Sequence, residues 1–304
     1  MKGDAHVPFR ELHATRFFLI VRPVFKVLFL APCIALAACG GLFFYPQQEL
    51  LLTPDRTGLA YRDVRFAASD GVRLHGWYLP ADPKAAREPV CTILFLHGNA
   101  ENISTHLGSV WWLPARGVNI FLFDYRGYGR SEGSPDLDGL HRDFDAALKA
   151  ALEQADTGPG HIVVFGQSLG GALAVTAVDR SAYRDRLRGL IIEGAFSGYR
   201  AIVRDKLAAS WLTWPLQWPL SYTVGDDYRP LEAIGQLSPL PILIVHGQAD
   251  SIIPPDHAQA LYDAARTPKA LWLVPGAPHI AVFRTKRNQD RLIDYLRGLG
   301  CAAQ

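Results

Sequence analysis

The sequence predicts an α/β fold: a mostly parallel eight-stranded sheet with helices on both faces and a short lid insert. Three observations predict it. Short apolar, β-branched runs alternate with helical patterns along the chain, as expected for parallel strands covered on both faces. Glycine-rich and polar loops carrying serine, aspartate and histidine follow directly after several of these runs. The 304 residues, 49% hydrophobic, supply one large core without division into several domains.

Strands are expected near 61–67, 72–79, 91–96, 118–123, 161–165, 189–193, 241–246 and 270–274. The first two alternate in polarity, and Ser69-Asp70-Gly71 between them is a hairpin signal. The sheet should therefore begin with an antiparallel pair. Helices are expected over 102–115, 137–153, 169–180, 256–265 and 287–298.

The most informative motif is Gly166-Gln-Ser168-Leu-Gly170, between the apolar run ending at Phe165 and the small-residue stretch from Gly171 to Val178. A G-x-S-x-G sequence in a strand–turn–helix context is a nucleophile elbow, with the serine lifted clear of the sheet. It also sits at a helix N-terminus, where the dipole favours developing negative charge. An activated serine needs a base, an acid to orient that base, and an oxyanion hole. Asp250 is the first carboxylate after the strand Pro241–His246, and His279 is the only histidine after His257. Both follow strand ends, where parallel α/β sheets build their sites. Glu193, at the end of the preceding strand, is the rival acid. The Leu169 N–H and one from His97-Gly-Asn-Ala-Glu-Asn102 would form the oxyanion hole; Asn99 is the expected second donor, with Ala100 its alternative. His97 and His246 read as structural, and His257 as lying on a helix surface. Asp124 reads as a buried turn carboxylate facing Arg126 or Arg130. Gln167, beside the serine, is assigned no chemistry.

With these motifs in order, the chain resembles the α/β-hydrolases. It is similar to a single-domain branch sharing His-Gly-Asn-Ala-x-Asn, Asp-Tyr-Arg-Gly-Tyr-Gly-x-Ser-x-Gly, Gly-x-Ser-x-Gly-Gly and His-Gly-x-x-Asp-x-x-Ile-Pro. These are residues 97–102, 124–133, 166–171 and 246–254 here. The resemblance runs from about Tyr61 to Leu296. It implies a serine hydrolase acting on esters or thioesters through Ser168, Asp250 and His279, without a cofactor. Eukaryotic members include enzymes that remove palmitate from protein cysteines. A peptidase or amidase on the same triad, and a non-catalytic binding protein, are the alternatives. The chain departs from the family pattern in the Ala-Pro pair before His279 and in a tryptophan-rich insert.

That insert, about 196–234, is the expected lid. Trp211, Trp214 and Trp218 lie at helical spacing, while Pro215 and Pro219 forbid a long regular helix. The three tryptophans are expected to pack the lid, to wall an acyl-binding site, or to touch a membrane interface.

Residues 1–38 hold five cations against two carboxylates, and the remainder holds 26 against 27. Nothing in this balance points to nucleic acid. Val27 to Tyr45 carries no charge and follows the cations, which favours an exported body. Leu36-Ala-Ala-Cys39-Gly40 resembles a lipobox, which would place a lipid on Cys39; an uncleaved anchor helix is the alternative. The expected organisation is 1–38 signal peptide or anchor, 39–60 tether and lead-in, 61–298 catalytic domain and 299–304 tail. The partners expected are a small or lipid-like acyl substrate and the membrane through the N-terminus. No metal-binding spacing is present, and Cys91 and Cys301 are expected as free thiols by default.

Overall fold

Alternation in apolar strands decides the architecture, because neighbouring residues of a strand point to opposite faces. The computed structural model describes residues 44–85, 91–154 and 161–301. The expected targeting segment and Cys39 lie outside the described residues. The strands are β1 (Tyr45–Pro46), β2 (Arg62–Ala67), β3 (Arg73–Leu79), β4 (Thr92–Leu96), β5 (Ala100–Glu101), β6 (Asn119–Asp124), β7 (Ile162–Gln167), β8 (Leu187–Glu193), β9 (Ile242–Gly247) and β10 (Lys269–Val274). The helices are α1 (Ile103–Val110), α2 (Leu137–Gln154), α3 (Leu169–Arg180), α4 (Tyr199–Ala208), α5 (Gln217–Ser221), α6 (Pro230–Ala233), α7 (Asp256–Ala264) and α8 (Lys286–Gly298).

The main sheet has eight strands in the order β10-β9-β8-β7-β4-β6-β3-β2. Only β3 runs against its neighbours, and the Ser69–Gly71 turn, with Gly71 at φ 85°, joins it to β2. Every residue of β4, β6, β7 and β9 is buried, which is why these strands read as unbroken apolar runs. Leu94, Val164, Ile192 and Ile244 face one layer with α2, α3 and α7. Ile93, Val163, Ile191 and Leu243 face the other with α1 and α8. Each fully buried Leu, Ile or Phe contributes about 1.5–3 kcal/mol, so two full layers hold the sheet rigid beneath its loops.

Three local differences have identifiable causes. Helix α1 ends at Val110 rather than near 115, because Pro114 lacks the N–H a continuing helix would use. Strands β1 and β5 form a separate two-stranded parallel ribbon, too short for periodicity to reveal. The lead-in is docked: Leu50, Leu52 and Leu59 pack against the α1/α8 layer.

Three side-chain expectations are corrected. Cys91 and Cys301 are not free thiols but form a disulfide. Cys91 precedes the central strand and Cys301 follows the last helix; only the folded α8 brings them together. His257 is buried rather than on a helix surface, because α4 folds over α7: its Nε2 donates to Asp205 at 2.9 Å and its Nδ1 accepts from Ser197. Asp124 does not face an arginine side chain. It accepts from the Ile103 N–H at 2.9 Å and lies 3.8–3.9 Å from His75 and His97. Arg126 turns away to Asp143 and Asp70, whose carboxylates compete successfully for it.

Candidate active site

The turn from β7 into α3 places Ser168 at φ 55°, ψ −119°. A side chain in the left-handed region is strained and persists only where its surroundings enforce it. Here the glycines do so. A Cβ on Gly166 would lie 2.3 Å from the Gly170 carbonyl, and one on Gly170 would lie 2.3 Å from the Leu96 carbonyl. The Ser168 N–H donates to the Glu193 carbonyl at 2.9 Å, so β8 supports the turn from beside. Gly171 and Ala172 donate to the Ser168 carbonyl. The Leu169 amide is one of the first donors of α3, which helix geometry leaves without an intrahelical acceptor.

Asp250 follows β9 in a tight loop. One oxygen accepts from the Ile252 and Ile253 amides at 2.8 and 2.9 Å. The other accepts from His279 Nδ1 at 2.7 Å and lies 3.2 Å from His246 Nε2. Burial pushes this carboxyl up, but hydrogen bonds from His246, His279 and Ile253 outweigh it and hold it well below the usual carboxylate range. Asp250 is thus fully ionised near neutrality. Glu193 makes no hydrogen bond to His279. It accepts from the Val282 amide at 2.9 Å and from Gln167 at 2.6 Å, and burial pushes its carboxyl up. It braces the β7 and His279 loops from beneath.

His279 follows β10, with a side chain 12% exposed. With Nδ1–H given to Asp250, its Nε2 is left as an acceptor. Among the described residues no hydrogen bond joins Ser168 to His279. Such contacts are often long in unliganded sites and shorten with substrate.

The loop after β4 is pinned on three sides. The Tyr128 hydroxyl reaches the Asn99 carbonyl and side-chain oxygen at 2.8 and 3.1 Å. Asn102 caps α1 by accepting from Ser104 N–H at 2.9 Å and donates to the Gln47 and Glu49 carbonyls. Ribbon β1–β5 holds the segment between. Sequence reasoning missed Tyr128 and Asn102 as supports. Both stand in quoted motifs, and an asparagine just before a helix is a capping signal.

A cavity of about 400 Å³ is lined by Glu101, His106, Gln167, Ile280 and Phe283, among others. It takes in the chain neighbours of both Ser168 and His279. Three non-glycine residues among those described have positive φ: Glu101, Ser168 and Ile280. All three belong to this site, the pattern expected where strain serves function. Burial holds the His97 and His106 imidazoles below their ordinary pKa, so both are neutral near pH 7. The His97 Nδ1–H donates to the Gly98 carbonyl at 2.7 Å.

The lid tryptophans stand apart from this cavity. Trp211, Trp214 and Trp218 are 87%, 59% and 54% exposed, so none is fully buried between lid and core. Trp218 borders a second cavity, shared with Arg200, Arg204 and Tyr222.

Residues 87–224 match the family model described as "Serine aminopeptidase, S33". The uncharacterized protein YfhR of Escherichia coli K12 is 34% identical over 279 residues, covering 89% of this chain and 94% of that one. The α/β hydrolase domain-containing protein WAV2 of Arabidopsis thaliana is 34% identical, covering 75% of each chain. Among solved structures, an esterase of Pyrococcus furiosus superposes with a TM-score of 0.68 at 20% identity, covering 84% of this chain and 98% of that one. At that identity the likeness speaks to fold.

Proposed function

We propose that this chain, which belongs to the α/β-hydrolase superfamily, is a serine hydrolase that cleaves carboxylic esters or thioesters through an acyl-enzyme. The observation that carries the reading is the 2.7 Å bond from His279 to Asp250, in loops that follow parallel strands beside the strained Ser168 turn. Substrate in the cavity brings its carbonyl carbon to the Ser168 hydroxyl. His279 Nε2 takes the hydroxyl proton as Oγ attacks. Asp250 fixes the tautomer and stabilises the imidazolium without taking the proton itself. The Asn99 and Leu169 amides receive the oxyanion, each worth roughly 3–4 kcal/mol in the transition state. His279 then protonates the leaving alcohol or thiol, and water repeats the sequence on the acyl-enzyme. A fluorophosphonate probe, with Ser168→Ala alongside, tests the reading. Labelling of the wild type alone supports it, and labelling that persists in the variant overturns it.

A second reading, amide or peptide hydrolysis on the same triad, is favoured by the description of the matched family. Turnover of p-nitrophenyl esters against aminoacyl anilides separates the two; we favour esters because their leaving groups need less protonation.

The body is further proposed to lie outside the cytoplasm, tethered through the N-terminus. The Cys91–Cys301 disulfide supports this, since such bonds persist in oxidising compartments. Lipidation of Cys39 is the preferred form of tether. It predicts a larger precursor for Cys39→Ser, and an intact mass that still includes residues 1–38 in the wild type favours the anchor helix instead.

A further inference from the structure

From Leu207 to Gly225 the lid carries no charged residue, yet this stretch lies largely on the surface. Trp211, Leu212, Trp214, Leu216, Trp218 and Tyr222 are all exposed, Trp211 to 87%. Apolar patches of this kind on a folded domain mark contact surfaces. The stretch is not a span: no helix among the described residues is long and apolar enough to cross a membrane. Instead the chain folds as a 3₁₀ turn over Trp214–Leu216 and the five-residue α5, each with one proline inside it. Indole and phenol rings favour the boundary between headgroups and acyl chains, where one end is wet and the other apolar. The preceding flank carries two cations, while the following one opens with Asp226, paired with Arg200 and Arg229, and Asp227. Arg204 lies over the Trp218 ring at 4.7 Å, Lys206 is exposed, and neither has a carboxylate partner among the described residues.

We propose that the lid docks on an anionic membrane interface, with Trp211, Trp214, Trp218 and Tyr222 at headgroup depth and Arg204 and Lys206 on lipid phosphates. The topology supports this orientation. The lid follows the carboxyl end of β8, and β1 pairs with β5 just beyond the carboxyl end of the parallel β4. The chain therefore joins the domain at the edge that bears the lid, directly after the uncharged stretch 27–45. This last step rests on the N-terminal tether proposed above. A two-fold contact with a second copy fits less well, because the patch would meet itself and gather Arg204 and Lys206 of both copies at one rim.

The test uses the full chain on vesicles of phosphatidylcholine and phosphatidylglycerol, three parts to one, with brominated or ordinary acyl chains. Trp211→Phe, Trp214→Phe and Trp218→Phe together remove the lid fluorophores and keep its apolar surface. Three of the seven tryptophans lie in the lid, so bromination should quench wild-type tryptophan emission by up to about two fifths, and the triple variant much less. Equal quenching in both proteins overturns the proposal. So does an unquenched wild type that still sediments with the vesicles, including one that crosslinks as a dimer through the lid. Circular dichroism verifies folding, and Trp211→Phe alone, at the most exposed position, gives a second reading if the triple variant fails to fold. Arg204→Gln with Lys206→Gln should abolish the dependence of quenching on phosphatidylglycerol; an unchanged dependence removes the headgroup contact. Release of a Trp211→Ser, Trp214→Ser, Trp218→Ser variant from vesicles would refute the tether while upholding the lid. Failure of the hydrolase reading appears separately, as absent turnover of a soluble ester.

Discussion

Around Ser168, buried groups hold each loop: Glu193 spans Gln167 and Val282, Tyr128 grips Asn99, and two amides and two histidines surround Asp250. From Ser210 to Tyr222 the lid is built otherwise. Its side-chain hydrogen bonds return to its own backbone, and its largest side chains face solvent. The loops around Ser168 are specified by the scaffold beneath them, so their geometry is expected to tolerate little. The lid is specified mainly against itself, which leaves its outer face open to selection for whatever it touches.

The comparison breaks most decisively at the nucleophile. Ser168→Ala should lower ester kcat about a million-fold, the scale for losing a triad serine, with the melting temperature nearly unchanged. Residual activity near wild type would place the chemistry elsewhere. Next comes the acid. Asp250→Asn should cost roughly 10⁴ in kcat, and Glu193→Gln far less; the reverse ranking would move the acid to β8. The same variant has a pH signature. Asp250 has a depressed folded pKa, so its stabilisation is complete above the unfolded value of about 3.9 and is lost as pH falls through the folded one. Urea midpoints of wild type and Asp250→Asn should therefore converge between neutral and strongly acidic pH.

Smaller effects sharpen the contrast. Cys301→Ser should reduce unfolding free energy by about 2–5 kcal/mol, read by urea denaturation, with little change in kcat below the transition. Tyr128→Phe removes the neutral hydroxyl that bonds the Asn99 loop and should lower kcat about fivefold, in line with roughly 1 kcal/mol. Smallest of all, Trp214→Ala should alter turnover of a soluble acetyl ester by less than about twofold, because exposed substitutions seldom propagate. A larger loss would mean that the lid shapes the site directly.

Much of the scaffold was legible because continuous burial writes itself into composition: β4, β6, β7 and β9 read as apolar runs since both faces are covered. Asp250 and His279 stood out because the strands before them did. What escaped depends on distance in sequence. Nothing near Cys91 or Cys301 announces that α8 returns to the start of β4. Ribbon β1–β5 is two residues a side, below any periodicity. His257 looked like a surface residue because the lid that buries it lies 52 residues upstream at Asp205. For Asp124, two neighbouring arginines suggested ion pairs, yet Asp143 and Asp70 hold Arg126 more closely.

The disulfide has a topological consequence. It closes a covalent ring with a sequence separation of 210 residues. Asn99, Ser168, Asp250 and His279 all lie inside it. A single proteolytic nick in the lid, an exposed segment of the kind proteases reach, would cut the chain without separating the halves that carry Ser168 and His279. The clipped protein should migrate as one species until a reductant is added, and should keep Ser168, Asp250 and His279 together through the cut.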